Sequence, residues 1–157
     1  MQMHTLKTGK KRLQRGFTLI EITIAVGILA FALCAILAAY ISLYALSATS
    51  RNINIATNGA LGVIEEIRST PFSQIMATYN GLNFVLNDIP QSWGVVYVDN
   101  TDPDLLQVTI SVCWRQQDNR LIGEDLNLNG VLDPGEDVNL NGIIDSPVEL
   151  VTRITNR

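Results

Sequence analysis

The feature that most constrains this chain is a long run of residues without charge. Ile22–Ser50 spans 29 residues and includes no Asp, Glu, Lys or Arg. As an α-helix this run is about 44 Å long, and about 20 apolar residues are enough to cross the hydrocarbon core of a bilayer. No Pro lies between Phe17 and Thr70. The run therefore predicts a membrane-spanning helix.

The charges on the two sides of this helix are unequal. The first 16 residues contain five Lys and Arg and no acid, while the rest of the chain has six Arg and 15 acids, a net charge of −9. Basic residues on the N-terminal side place that end in the cytoplasm. An acidic remainder argues against binding through bulk charge to nucleic acid, so no nucleic-acid partner is predicted. The 47% of apolar residues argues against a disordered chain.

The helical pattern continues beyond the uncharged run as an amphipathic segment. Apolar residues recur there at the spacing of one helix face, namely Ile53, Ala56, Ala60, Ile64 and Ile67. Pro71 is a stop signal. We therefore predict one helix from about Phe17 to about Ser69. Its amphipathic half needs a surface to pack on, and the rest of the chain must supply that surface.

After Pro71 the chain has the patterns of a small antiparallel sheet. Residues from Leu105 to Trp114 alternate between apolar and polar, which predicts a half-buried strand. Further strands are predicted at Trp93–Val98, Val148–Thr155 and Leu82–Leu86, with a turn at residues 99–104. We expect this sheet to pack on the amphipathic half of the helix, which gives the fold class α+β.

These patterns divide the chain into four segments. They are a basic leader at residues 1–16, a hydrophobic transmembrane helix at 17–50, an amphipathic helix half at 51–70 and a globular β-sheet domain at 71–157. Glu21 breaks the apolar character of the second segment, where a carboxylate costs on the order of 3 kcal/mol on insertion scales. An acid at the helix end that reaches the membrane interface is one interpretation of Glu21.

The run Arg15-Gly16-Phe17-Thr18-Leu19-Ile20-Glu21 gives a second interpretation. It resembles the prepilin signal of type IV pilins and type II secretion pseudopilins. The resemblance implies that prepilin peptidase cuts after Gly16 and that the new N-terminal Phe17 is N-methylated. It also implies that Glu21 pairs with the N-terminal amine of a neighbouring subunit when the membrane helices bundle into a filament.

Within that family the chain is most similar to PilV-type minor pilins. The similarity lies in Glu65-Glu66-Ile67-Arg68, Val112-Cys113-Trp114-Arg115 and the final Glu149–Ile154 strand. The middle of the hydrophobic segment has no Pro, unlike many major pilins. The similarity implies a structural subunit of a type IV pilus with a ladle-like shape. Its partners would be other pilin subunits, prepilin peptidase and, before assembly, the bacterial inner membrane.

Two other functions fit the same residues. The first is a minor pseudopilin of a type II secretion or competence system, which would lie in a periplasmic pseudopilus rather than an extracellular pilus. The second is a membrane-anchored calcium-binding module that never polymerises. Glu21 discriminates against the second, because a plain anchor gains nothing from a buried acid.

A repeat of period 12 lies in the insertion at residues 124–149, which carries seven acids and no base. Its first copy fits the calcium-loop pattern D-x-[DN]-x-[DN]-G-x5-E, in which Gly130 permits a sharp turn. The predicted Ca²⁺ ligands are Asp125, Asn127, Asn129, the carbonyl of Val131, Asp133 and Glu136. We therefore expect one Ca²⁺ in this loop, which would be an insertion in a β-hairpin.

The second copy is less complete. It offers Asp137, Asn139, Asn141, the carbonyl of Ile143 and Asp145. Its twelfth position is Val148, and Glu149 comes one residue late, so Glu149 could serve only if the loop deforms. A second Ca²⁺ is predicted here too. The interlocked loops resemble those of dockerins and thrombospondin type 3 segments, whereas the alternative is a solvated acidic loop with two Asn-Gly turns.

The remaining reactive residues do not form a catalytic set. His4 is the only histidine and lies in the leader, which excludes a His-dependent catalytic site in the processed chain. Cys34 in the hydrophobic segment and Cys113 in a predicted strand are not expected to form a disulfide. The chain is therefore predicted not to be an enzyme.

Overall fold

The computed structural model describes residues 16–116 and 118–156. The predicted basic leader, apart from Gly16, lies outside the described residues. The elements in chain order are α1 (Leu19–Ser69), α2 (Phe72–Tyr79), β1 (Asn83–Phe84), β2 (Ser92–Asp102), β3 (Leu105–Arg115), β4 (Leu121–Ile122) and β5 (Glu149–Thr155). The chain divides into two compact units, Met1–Tyr44 and Ala45–Arg157.

The described part of the first unit is dominated by the N-terminal portion of α1. The bounds of α1, Leu19 and Ser69, confirm the predicted single helix. Large apolar side chains from Leu19 to Tyr44 are exposed along this portion. Among the described residues, α1 is the one helix long and apolar enough to cross a membrane, judged by length and composition.

In the second unit, the C-terminal portion of α1 buries one face. The buried residues are Asn52, Ala56, Ala60, Ile64 and Ile67. The prediction was wrong for Ile53, which is 38% exposed, because Asn52 takes the buried position instead. Asn52 tolerates burial because its Nδ2 donates a hydrogen bond to Gln116 Oε1 at 3.1 Å.

The strands form one antiparallel sheet with β3 at its centre. On one side β3 pairs with β2, where Ser92 lies opposite Trp114. On the other side it pairs with β5 over most of its length and with β4 at its end. The short strand β1 completes the sheet by pairing with β2. This arrangement and the packed helix confirm the predicted α+β class, and β1 is shorter than the strand predicted at Leu82–Leu86.

Two short elements were missed by the sequence prediction. Helix α2 begins directly after Pro71 and buries Ile75 and Tyr79, whose spacing of four residues was the available signal. Strand β4 is only two residues long and carries no periodicity. Strand β2 also continues to Asp102, through an irregularity in its register, into the segment predicted as a turn.

The prediction of a half-buried β3 was also wrong, because its second face is covered as well. One face joins α1 in the main core through Leu106, Val108, Ile110, Val112 and Trp114. The opposite face has buried residues too, namely Thr109, Ser111 and Cys113. Ile144, Leu128 and Leu132 from the segment before β5 pack on that side against Val95 and Cys113. The acidic insertion therefore covers the outer face of the sheet around Val95 and Cys113.

We predict that Ile64→Ala lowers the free energy of unfolding by about 2–5 kcal/mol, because it leaves a cavity between α1 and the sheet. Ile64 is 4% exposed, whereas Leu61 on the same helix is 44% exposed. Leu61→Ala is the matched control and should change stability by about 0.5 kcal/mol. Urea unfolding of the full chain in neutral detergent, followed by near-UV circular dichroism, measures both. Equal losses for the two variants would contradict this packing.

Candidate cation-binding loops and the N-terminal motif

The two copies of the period-12 repeat have the same backbone conformation. Gly130 and Gly142, at equivalent positions, have φ of 73° and 80°. Leu128 and Leu140, also equivalent, have φ of 56° and 60°. Left-handed backbone costs a residue with a Cβ roughly 1–2 kcal/mol. The repeat in sequence is therefore a repeat in structure, including a strained non-glycine position in each copy.

Two buried carboxylates organise the first loop. Asp125 is fully buried and accepts hydrogen bonds from the backbone N–H groups of Asn129, at 3.1 Å, and Gly130, at 2.8 Å. Glu136 is 3% exposed. Its two oxygens accept from the N–H groups of Leu126, at 2.8 Å, and Asp133, at 3.0 Å. Glu136 thus joins the start of the loop, at Leu126, to its ninth position, at Asp133.

The other polar side chains of the first loop converge on Asp133. The Nδ2 atoms of Asn127 and Asn129 donate to Asp133 Oδ2 at 2.7 Å and 2.9 Å. The Oδ1 atoms of the same two residues accept from the N–H groups of Asn129, at 3.0 Å, and Val131, at 2.7 Å. The structure therefore brings all five predicted side-chain ligands of this loop together.

The second loop repeats these contacts atom for atom over its first nine positions. Asp137 accepts from the N–H groups of Asn141 and Gly142, at 3.0 Å and 2.9 Å. Asn139 Oδ1 accepts from Asn141 N–H, and Asn141 Oδ1 accepts from Ile143 N–H. The Nδ2 atoms of Asn139 and Asn141 both donate to Asp145 Oδ2. The four predicted side-chain ligands of the second loop are thus also adjacent.

The closing residue distinguishes the second loop from the first. Val148 is 4% exposed and belongs to the main core. Successive residues of a strand point to opposite faces, so Glu149 at the start of β5 lies on the loop side of the sheet. Partial burial, and then the hydrogen bond and negative charge of Asp145, raise the pKa of Glu149 above its ordinary value. Glu149 therefore lies beside the second loop.

The close contact between the loops and the sheet was not predicted. The indole Nε1 of Trp93 lies against the Cα of Gly130, where a Cβ would collide with it. Tyr97 Oη accepts a hydrogen bond from the N–H of Ile144 at 3.0 Å. The available signal was the presence of apolar residues in the acidic insertion, at positions 128, 132 and 144. These residues pack against the sheet.

The loops also enclose Cys113. Its Sγ lies 3.8 Å from the carbonyl oxygen of Asp145 and next to the Cα of Gly123. Burial raises the pKa of the Cys113 thiol to about 11. The thiol is therefore neutral at ordinary pH and shielded from solvent, so Cys113 serves as packing.

If either loop holds a cation, the Asn side chains must contribute amide oxygens as ligands in addition to the carboxylates. Across residues 16–116 and 118–156, no group of three or more His, Cys, Asp or Glu side chains suits a metal ion by itself. The first loop contributes three carboxylates and two amides, and a half-turn of each amide exchanges its oxygen and nitrogen. Carboxylate, amide and carbonyl oxygens are the donors that Ca²⁺ prefers.

The N-terminal motif lies at the start of the described residues and includes Phe17, Thr18 and Glu21. Phe17 is 79% exposed. Thr18 Oγ1 accepts a hydrogen bond from the N–H of Glu21 at 3.3 Å, and Glu21 is the acid of the first turn of α1. Thr18 and Glu21 have the spacing of a capping box, and a carboxylate favours a helix N-terminus. Thr18 therefore caps the first turn of α1 through the N–H of Glu21, a contact that the sequence prediction overlooked.

We predict that Gly130→Ala destabilises the chain more than Gly142→Ala. Both changes force a Cβ into left-handed backbone, but only the Cβ at residue 130 meets Trp93 and Asn83, whereas the one at 142 meets nothing within 4 Å. The difference in the free energy of unfolding should be about 1–3 kcal/mol, the cost of overpacking. Urea unfolding of the full chain, with tryptophan fluorescence as the signal, measures it. Equal destabilisation would show that Trp93 does not rest on the first loop.

One comparison with known proteins found a match. The family model described as the prokaryotic N-terminal methylation motif matches residues 11–37. Neither a curated protein nor a solved structure matches the chain. The match includes Gly16, Phe17 and Glu21 and continues into the apolar part of α1. The chain therefore carries the N-terminal methylation motif, which supports a type IV pilin-like or pseudopilin subunit and a structural role rather than an enzymatic one.

Proposed function

We propose that this chain is a minor pilin of a type IV pilus that is cut after Gly16, N-methylated at Phe17 and assembled through α1. One observation carries the proposal: the methylation motif continues into a helix whose apolar side chains are exposed. Exposed apolar surface of this extent needs a bilayer or other protein to cover it. The inner membrane covers it before assembly, and the helices of neighbouring subunits cover it in the filament.

Glu21 gives the filament its register in this proposal. A carboxylate in an apolar bundle is costly unless a partner charge neutralises it. Cleavage after Gly16 creates that partner, because it frees the amine of Phe17 on every subunit. The amine of one subunit then meets Glu21 of the next. A minor pseudopilin would use the same contacts, and the filament in which the subunit is found separates the two proposals.

We predict that Glu21→Ala leaves processing intact but prevents incorporation into filaments. The variant removes the partner of the N-terminal amine without changing Gly16. Mass spectrometry of the native N-terminus should find methylated Phe17 in the wild type and the variant alike. Immunoblots of sheared filaments should find only the wild type.

Leu29→Ala is the matched control, because Leu29 is exposed on the same helix portion and carries no charge. It should be processed and incorporated. A native chain that still begins at Met1 would contradict the pilin proposal, and normal incorporation of Glu21→Ala would favour a membrane-anchored module that does not polymerise.

We propose further that the first loop binds Ca²⁺ and that the second loop binds a second ion. The donor set fits: five side chains converge in the first loop, where two of them are buried carboxylates, and four converge in the second. Burying two carboxylates beside Asp133 is unfavourable without a counter-charge. Ca²⁺ would supply that counter-charge. Its proposed ligands are Asp125, Asn127, Asn129, the carbonyl of Val131, Asp133 and Glu136.

The same reasoning extends to the second loop. Its donors are Asp137, Asn139, Asn141, the carbonyl of Ile143 and Asp145, and Glu149 lies close to Asp145 in place of a twelfth-position acid. The second loop is more open, because Asp137 is only partly buried whereas Asp125 is fully buried. We therefore propose that the first loop binds Ca²⁺ more tightly than the second. Extracellular calcium modules have Kd values of roughly 10⁻⁴ to 10⁻³ M, so the loops would fill outside the cytoplasm.

Calcium would act on stability through the outer face of the sheet. The loops cover Cys113 and Val95, so an opening of the loops exposes apolar surface of β2 and β3. Ca²⁺ at 100 times its Kd lowers the population of the open state about 100-fold. The proposed ion is thus a structural one, and its removal should loosen the insertion before it affects α1.

We predict that Ca²⁺ protects Cys113 from alkylation. In a Cys34→Ser background, which leaves Cys113 as the single thiol, N-ethylmaleimide should react about 100-fold more slowly in 10 mM Ca²⁺ than in EGTA, if Kd is near 10⁻⁴ M. Asp125→Asn should abolish the protection. Asp104→Asn, a matched change in the turn between β2 and β3, should retain it. Equal rates with and without Ca²⁺ would contradict a stabilising calcium site.

A further inference from the structure

A cleft in the second unit brings two arginines together. It has a volume of about 330 Å³, and Arg51 on α1 and Arg115 at the end of β3 both line it. Its other polar lining residues are Asn52, Gln91, Gln116 and Asn119. None of the described residues that line it is acidic. Two of the six arginines that follow Gly16 thus share one cleft in a part of the chain with a net charge of −9.

Within the described residues, two other arginines have acidic partners, whereas Arg51 and Arg115 have none. Arg68 lies 3.2 Å from Glu65, and Arg120 lies 3.8 Å from Asp118. Within the part of the chain that the structure describes, no carboxylate lies within 4.0 Å of Arg51 or Arg115. Arg115 makes two long hydrogen bonds, both of 3.4 Å, to backbone carbonyls. The positive charges of Arg51 and Arg115 are therefore not paired with a carboxylate within the described chain.

The base of the cleft is held by a buried polar network. Gln116 Oε1 accepts hydrogen bonds from Asn52 Nδ2, at 3.1 Å, and Trp114 Nε1, at 3.0 Å. Gln116 Nε2 donates to Thr49 Oγ1 at 3.0 Å. Asn52 and Gln116 are 8% and 6% exposed. This network fixes α1 to the end of β3, so the two arginines are carried on elements that are held together.

The rim of the cleft is strained. Gln91 and Asn119 have φ of 55° and 64°, and they are two of the four non-glycine residues with positive φ among those described. Gln91 O also accepts the backbone N–H of Arg115 at 3.0 Å. Strained backbone persists where surrounding contacts determine it, and it is concentrated at ligand sites. This strain is consistent with a formed binding cleft.

The position of Arg51 along the chain indicates which anion is near. Arg51 is the first charged residue after the uncharged run Ile22–Ser50. As a helix that run covers about 44 Å, which matches the thickness of about 40–45 Å of a bilayer with its headgroups. Arg51 is therefore expected at the level of the headgroups on the far side of the membrane. The guanidinium group binds phosphate oxygens in a bidentate manner.

We propose that the cleft between Arg51 and Arg115 binds the phosphate group of a phospholipid headgroup while the subunit is in the membrane. The inference rests on the membrane-inserted stage of the proposed function. The headgroup would neutralise both guanidinium groups. Release of the lipid would then accompany extraction of the subunit into the filament.

The test uses the full chain in neutral maltoside micelles with EGTA, which prevents calcium from bridging to phosphate. Soluble dihexanoyl phosphatidylglycerol and inorganic phosphate are titrated separately, and the rise in Tm gives the apparent affinity. We expect the lipid to bind the wild type and Arg51→Gln to weaken that binding about tenfold, the loss of one charge-assisted contact. Arg153→Gln, an equal change of charge on β5, should bind like the wild type.

Each other outcome overturns the proposal. Equal affinity of the wild type and Arg51→Gln would show that the cleft is not the site. Equal affinity for inorganic phosphate and the lipid would show a phosphate site without a preference for a headgroup. Binding of a peptide of residues 136–145 in place of the lipid would show that the cleft receives an acidic loop of a second copy. Arg51 is exposed and its substitution should not impair folding, which circular dichroism verifies. A negative result for lipid binding would not change the mass measurement of methylated Phe17. The lipid proposal and the pilin proposal can therefore be contradicted independently.

Discussion

Strand β3 requires cover on both faces, and two unlike parts of the chain provide it. The C-terminal portion of α1 covers one face with small and branched apolar residues. The acidic insertion covers the other with Ile144, Leu128 and Leu132. Because water must be excluded from both faces, the insertion is part of the fold of the second unit. Mutual repulsion among its acids opposes this cover, which is the physical reason that a cation in the loops would stabilise the sheet.

The N-terminal portion of α1 presents the opposite situation, because its apolar residues are exposed. A helix that is apolar all round needs a bilayer or a bundle of other helices around it. The methylation motif at residues 11–37 overlaps this helix and, together with it, supports membrane anchoring before assembly. The backbone N–H of Glu21 is capped by Thr18 Oγ1 at the first turn of α1. That contact uses the backbone of Glu21, whereas the proposed pairing with a neighbouring amine would use its carboxylate.

The candidate loop side chains were predictable because their positions depend on spacing within one tight turn. Asp125, Asn127 and Asn129 alternate along the chain; in the structure Asn127 and Asn129 contact Asp133, and Asp125 accepts a hydrogen bond from the N–H of Asn129. The placement of Glu149 was not predictable from that pattern. It depends on Val148 pointing into the core, which fixes the alternation of β5 and directs the next residue to the loop side.

The sequence by itself determined the apolar helix, the N-terminal methylation motif, the three longer strands and the repeat, because each depends on the order of neighbouring residues. Only the tertiary structure decided that Asn52 is buried rather than Ile53, because its partner Gln116 lies 64 residues away. The same holds for the cover on the outer face of β3 and for the cleft shared by two arginines. Periodicity shows which residues lie on one face of an element, but only packing decides what that face meets.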